Sequence, residues 1–170
     1  LQFLDELKFP AEKGYELFKQ AILLNSDLLS QLFSCPIDVN SCDNSTSTPL
    51  IIAMENRSFT AFTALLQHKD IDVNKIDTRS GKAALHLAIN YNEKANFLVQ
   101  SLLDKNASID IQDSDGNTPL HLACMISNRE YRESTVRQLI QCGASLAVQN
   151  KQGNTALHEL IPGRSVDEET

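Results

Sequence analysis

The sequence predicts an all-α solenoid of stacked antiparallel helix pairs, about four repeats plus a terminal half-repeat. Three observations predict it. The first is the block Gly116-Asn117-Thr118-Pro119-Leu120-His121-Leu122-Ala123. It returns as Gly81-Lys82-Ala83-Ala84-Leu85-His86-Leu87-Ala88, as Gly153-Asn154-Thr155-Ala156-Leu157-His158, and more distantly as Thr48-Pro49-Leu50-Ile51-Ile52-Ala53. Leu50, Leu85, Leu120 and Leu157 are thus 35, 35 and 37 residues apart. The second is a landmark that keeps step with the block: Ile37-Asp38-Val39-Asn40, Ile71-Asp72-Val73-Asn74, Ala107-Ser108-Ile109-Asp110 and Gly143-Ala144-Ser145-Leu146. The third is an apolar cluster between the two, at Leu32-Phe33, Leu65-Leu66, Leu102-Leu103 and Leu139-Ile140.

Residues 1–40 read as an N-terminal helical segment and a degenerate capping repeat. Leu1, Phe3, Leu4 and Leu7 suit an extra helix or the tail of a preceding domain. Pro10 opens a helix that carries Tyr15, Phe18, Ala21 and Ile22 inward, and Ser26 is placed to cap a second with Leu28, Leu29, Leu32 and Phe33. Repeats follow across 41–161, at about 43–76, 77–112 and 113–149, with a partial unit at 150–161 and a polar tail at 162–170. First helices are expected near 49–56, 84–91, 119–127 and 156–161, and second helices near 59–67, 94–104 and 133–141.

Local chemistry supports those bounds. Thr118 can cap its helix and Pro119 follows at the first helical position, where a missing N–H costs nothing. Ala83-Ala84 replaces that pair in the neighbouring unit, so the helix there lacks a side-chain cap. Ala53, Ala88 and Ala123 recur at one place and let adjacent units approach closely. Phe62/Leu65/Leu66, Leu98/Leu102/Leu103 and Val136/Leu139/Ile140 give the second helices their apolar stripes. Gly143, and Asn106 in its place, suit the left-handed turn after a helix. Two units run long, at 90–96 and 127–133. The polar stretch from Asn128 to Glu133 is expected as a solvated loop or a lengthened helix end. Pro162-Gly163 stops the last helix, so the half-unit either caps the stack or precedes a second helix in the native chain.

Gly-x-Thr-Pro-Leu-His-Leu-Ala, an apolar pair and then Gly-Ala, at about 33 residues, resembles the ankyrin repeat. The match is strongest at 113–148, good at 77–112 and 43–76, and weak before residue 40. The resemblance implies a module that meets another protein through its turn tips and the concave face of its first helices. In that register the tips are Asn44, Ser45, Ser47, Arg79, Ser80, Lys82, Ser114, Asp115, Asn117, Lys151, Gln152 and Asn154. The matching helix positions are Glu55, Asn56, Asn90, Tyr91, Met125 and Ile126. The partner-binding candidates are therefore Arg79, Lys82, Asn90, Tyr91, Ser114, Asp115, Asn117, Met125, Ile126 and Lys151. Tyr91, Met125 and Ile126 either form one exposed apolar patch flanked by Arg79 and Lys82, or pack beneath residues 127–133. The resemblance also gives His86, His121 and His158 structural hydrogen bonds. Leu66 followed by Asn74, and Leu32 by Asn40, resemble asparagine hydroxylation sites of eukaryotic ankyrin proteins, with ordinary repeat residues as the alternative.

Composition narrows the function classes. Apolar residues make up 42%, charged residues 22% and aromatics 6%, with no Trp, a balance that favours helices packed through aliphatic side chains. The net charge of −7 and the lack of any Lys/Arg run argue against nucleic acid or an anionic membrane as partner. No apolar stretch approaches the roughly 20 residues that span a bilayer. Cys35, Cys42, Cys124 and Cys142 show no CxxC spacing and read as reduced thiols of a cytoplasmic or nuclear protein. A zinc site on Cys35 and Cys42 lacks two further ligands. No GxSxG, HExxH, P-loop or GxGxxG occurs, so no catalytic residue, cofactor or metal is expected. The chain begins at Leu1 and reads as a piece of a longer protein. Its function is expected to be recognition of another protein. The alternative is a targeting or scaffolding region of a multidomain enzyme, or of an effector secreted by an intracellular bacterium into host cytoplasm.

Overall fold

A computed structural model describes residues 11–24, 28–34, 37–42 and 47–160. Among these residues the regular structure is helical, apart from one isolated antiparallel bridge between Gln149 and Thr155. The expected helix at Leu1–Leu7, the Ser26 cap, Cys35, Asn44, Ser45 and the tail from residue 161 lie outside the described residues.

The chain starts with α1 (Ala11–Leu23) and α2 (Leu28–Leu32). Tyr15, Phe18, Ala21 and Ile22 bury one face of α1 against α3 (Pro49–Glu55), while α2 lies against α4 (Phe59–Gln67). The next pair is α5 (Ala84–Ala88) and α6 (Ala95–Leu103), and the third is α7 (Pro119–Cys124) and α8 (Arg129–Gln141). Each first helix packs on the next and α6 packs on α8, so one apolar core runs along the stack. Ala53, Ala88 and Ala123 are fully buried in it.

The caps follow the sequence. Thr48 Oγ1 accepts from the Ile51 N–H at 3.3 Å, and Thr118 Oγ1 accepts from the His121 N–H at 3.4 Å. Ala83 offers no such oxygen, and only the return bond forms there, from the Ala83 N–H to His86 Nδ1 at 3.1 Å. Asn106 and Gly143 take left-handed φ values of 62° and 94° after α6 and α8.

Helix ends depart from expectation where the units are long. The helix expected over 84–91 is α-helical only to Ala88, then tightens into a 3-10 stretch, Ile89–Lys94. Asn92, at φ 50° and ψ −115°, breaks the helical path there, and the extra residues are absorbed in that kink. The helix expected to reach 127 stops at Cys124, and the last unit is reduced to a 3-10 turn, His158–Leu160. Conversely α8 extends back to Arg129, so of the two expectations for the stretch after Asn128 the lengthened helix end holds and the loop does not. Asn128 Oδ1 accepts from the Tyr131 N–H at 3.1 Å, and Arg129 pairs with Glu133 at 2.7 Å. Arg132 donates to the Ile126 carbonyl at 2.8 Å. A good cap, one pair within the helix and one bond back to the segment before it let the polar residues join the helix.

Candidate functional site

Adjacent units are joined at three levels, and what those joints leave free defines the surface on offer. Deepest are the histidines. His86 Nδ1 accepts from Ala83, so its Nε2 carries the proton and donates to the Asn117 carbonyl at 3.0 Å. His121 repeats this toward the Asn154 carbonyl at 3.0 Å. At the far ends of the second helices, Asn40 brackets the Asp70 carbonyl and the Asp72 N–H, and Asn74 brackets Asn106 and Ser108 in the same way. Asp110 takes the Ser145 N–H at 2.9 Å, and Ala147, next in that register, offers only a methyl group, which cannot continue the ladder.

The third joint is at the tips. Ser114 donates its N–H to the Ser80 carbonyl at 3.1 Å, and Lys151 to that of Asp115 at 2.9 Å. Gly81 and Gly116 have φ of 65° and 79°, and a Cβ on them would lie 2.4 Å from Ser114 N and 2.8 Å from Lys151 N. Only glycine fits so close a tip-to-tip approach.

Each tip is organised by an inward acid or amide that the sequence reading passed over. Asp113 Oδ1 accepts the N–H groups of Asp115 and Asn117, both at 2.9 Å, and Asn150 Oδ1 takes those of Gln152 and Asn154. Asp77 accepts from Ser80 Oγ at 2.7 Å and from the Ser80 N–H at 3.1 Å, with Arg79 alongside at 3.4 Å. Burial alone would raise the Asp77 carboxyl. The hydrogen bonds from Ser80 and Arg79 outweigh it and hold the pKa at about 2. The available signal was an Asp or Asn three or four residues before each tip glycine.

The candidates fall into two groups on this frame. Arg79, Ser114, Asp115 and Lys151 have exposed side chains along the tips, Asn90 is exposed at the end of the first helix of its unit, and Lys82 is half-buried. Asn117 is turned inward: its carbonyl serves His86 and its Oδ1 accepts from Asn150 Nδ2 at 2.9 Å. Of the three apolar candidates only Met125 is open, with 45% of its surface exposed. Ile126 packs half-buried against the core. Tyr91 is also half-buried, its hydroxyl donates to the Met54 carbonyl of the preceding unit, and the Arg57 guanidinium covers its ring at 5.0 Å. Burial pushes its phenol upward.

Two buried groups are shifted by their surroundings. Burial pushes the Cys124 thiol up to about 11, and burial lowers the basicity of His86. Among the described residues no three His, Cys, Asp or Glu side chains converge to hold a metal, and no helix is long and apolar enough to cross a membrane.

Comparison with known proteins places this arrangement among described ones. The family model for ankyrin repeats in three copies matches residues 18–101 and 92–166. Similar curated proteins include the chicken nuclear factor NF-kappa-B p105 subunit, 31% identical over 59% of this chain and 10% of that protein. A mouse ankyrin repeat domain-containing protein 53 is 29% identical over 64% of the chain and 24% of its own length. A probable serine/threonine-protein kinase of Dictyostelium discoideum is 30% identical over 52% of the chain and 9% of its length. The chain thus spans a quarter or less of each of these relatives.

Proposed function

The chain belongs to the ankyrin-repeat family, a non-catalytic interaction fold, and from that premise we propose that it recognises one partner protein through its turn tips and first-helix ends. The observation that carries this reading is the division of labour in the site. Asp77, Asp113, Asn117 and Asn150 are consumed in building the tips and joining units. Ser114, Asp115 and Lys151 stand outward from that scaffold, and Arg79 keeps an exposed side chain while its guanidinium bonds Asp77 and Ser47, with Asn90 and Met125 at the ends of helices only five and six residues long. A rigid frame with a mixed-charge set of side chains and one exposed apolar side chain suits contact with a protein surface. The thiols of Cys42, Cys124 and Cys142 are free, in keeping with a reducing compartment such as cytoplasm or nucleus.

The test is a pair of variants with partner capture and melting both measured. Met125→Ser with Lys151→Glu is expected to abolish capture at unchanged melting temperature. Capture unaffected by these changes would refute the reading. A second reading, a targeting or scaffolding region within a larger enzyme, is favoured by the similarity to a small share of a probable kinase. In that case the same variants would misdirect the whole protein without changing its turnover in solution.

A further inference from the structure

The edge of the molecule where α4 and α6 begin carries an unusual set of side chains. Phe97, on α6, leaves 54% of its surface exposed and stacks on Phe59 of α4, ring centroids 5.8 Å apart. Lys94 Nζ stands 4.1 Å from the Phe59 centroid, and Arg57 covers Tyr91 at 5.0 Å. Beside this stack a cleft of about 290 Å³ is lined by the rings of Phe59, Tyr91 and Tyr131. Left-handed backbone at Arg57 and Asn92, φ 54° and 50°, holds the two segments that carry the cations.

Two features of this edge specify what it fits. Neither Arg57 nor Lys94 has an ion-pair partner among the described residues, although the chain has a net charge of −7. One acid, Glu93, lines the same cleft and accepts from the Tyr131 hydroxyl at 3.1 Å. The cleft lining therefore carries two cations outside any ion pair against one carboxylate, a net positive charge above an apolar floor. A cation held over an aromatic face keeps its outer hydrogens for an incoming anion. The cleft is at or below the small end of ligand pockets, so it suits side chains of a peptide and not a large cofactor. Two cations are too few to track a nucleic-acid backbone, which takes several phosphate contacts.

We propose that this edge is a second recognition surface, separate from the turn tips, for an acidic segment of a partner protein that carries an aromatic or aliphatic side chain. Carboxylates of the segment meet Lys94 and Arg57, and its apolar side chain covers the open face of Phe97 beside Phe59. Such a contact covers the Phe97 ring now open to water and gives both cations a counter-charge.

The experiment is a fluorescence-anisotropy titration of the whole chain with a labelled synthetic peptide, one phenylalanine within a run of glutamates. Saturable binding that weakens with added salt is expected. Lys94→Glu with Phe97→Ser should weaken it by about tenfold or more. Met125→Ser at the other surface should leave it unchanged, which separates this inference from the reading of the tips. Both altered side chains are exposed, and melting curves of the variants verify that they fold. Should the double variant melt lower, Lys94→Gln alone repeats the comparison with the Phe59–Phe97 stack intact. The proposal is overturned if the peptide does not bind, if its lysine-for-glutamate counterpart binds equally well, or if the Lys94 variants bind as tightly as the native chain.

Discussion

Asp77 shows how much of a tip rests on one side chain. Its carboxylate is 4% exposed and is held by Ser80 and Arg79, which lowers its pKa from 3.8 to about 2. The folded state therefore resists protonation more than the unfolded chain does. That stability is fully present above pH 3.8 and is lost as pH falls toward 2. Asp77→Asn should destabilise the chain by roughly 2 kcal/mol near neutral pH, and the variant's denaturant midpoint should change less than the native one across that acid window. His86 titrates on the same logic at higher pH. Burial lowers its pKa below 6.5, more than the Asn117 carbonyl and Asp113 raise it, so the unfolded chain takes up the proton first. The stability it gives is present above pH 6.5 and declines as pH drops below that value. Comparing His86→Ala with the native chain across that window should show a shallower slope in the variant and a lower midpoint above it, since buried partners lose their bond. The histidines were readable from sequence because they recur in register. The tip acids were not, because Asp77, Asp113 and Asn150 differ in type and in distance from their glycines.

At the scale of the element, the helices that obeyed their own local chemistry were predictable and those shaped by extra residues were not. α4 and α6 fall within a residue of the expected bounds, because their stripes and flanking turns agree. α5 is shorter than expected because Asn92 takes a left-handed conformation, a choice that a string of apolar spacings does not reveal. α8 starts before residue 133 because the Asn128 cap recruits residues whose polarity suits a loop and a lengthened helix end alike. Tyr91, which bonds the Met54 carbonyl, sits in the 3-10 stretch broken at Asn92, so the placement of that candidate was outside the reach of sequence. Two substitutions test the caps. Ala83→Thr should raise stability by roughly 0.5–2 kcal/mol, since Thr118 holds the same backbone geometry and is accommodated fully buried. Asn128→Ala should lower it by about 1 kcal/mol, with hydrogen exchange quickening at Arg129–Arg132 before the rest of α8. An Ala83→Thr midpoint at or below the native one would contradict the register set out above.

At the scale of the molecule, the two ends of the described stack differ in how far they are covered. The N-terminal side of α3 is covered by α1, with Tyr15, Phe18 and Ile22 almost wholly buried. At the C-terminal side Ile140, Leu157 and Leu160 remain exposed, and Leu157 keeps 47% of its surface open where its counterparts Leu85 and Leu120 are buried. Gly153 meets nothing within 4 Å of where a Cβ would stand, unlike Gly81 and Gly116. The last half-unit still closes part of the core. Ala156 is buried, the Asn154 carbonyl takes the His121 bond, and Glu159 Oε1 accepts from Asn150 and Asn154, each at 3.2 Å. Its contact is with α7. Cys124, at the end of α7, reports that closure. Its thiol is pushed to about 11 by burial first and by the charge of Glu159 second, so almost none is thiolate near neutral pH. Cys42 and Cys142 are exposed. A thiol reagent at neutral pH should label Cys42 and Cys142 quickly and Cys124 only on the timescale of local opening. Removing residues 153–170 takes away both Ala156 and Glu159, so Cys124 should then label at the rate of the exposed thiols. The melting temperature should fall together with that change, by about 2–4 °C for each kcal/mol lost. Peptide mapping by mass spectrometry separates the three sites. If Cys124 stays protected in the shortened chain and the melting temperature holds, the half-unit does not close the stack, and α7 and α8 seal it between themselves.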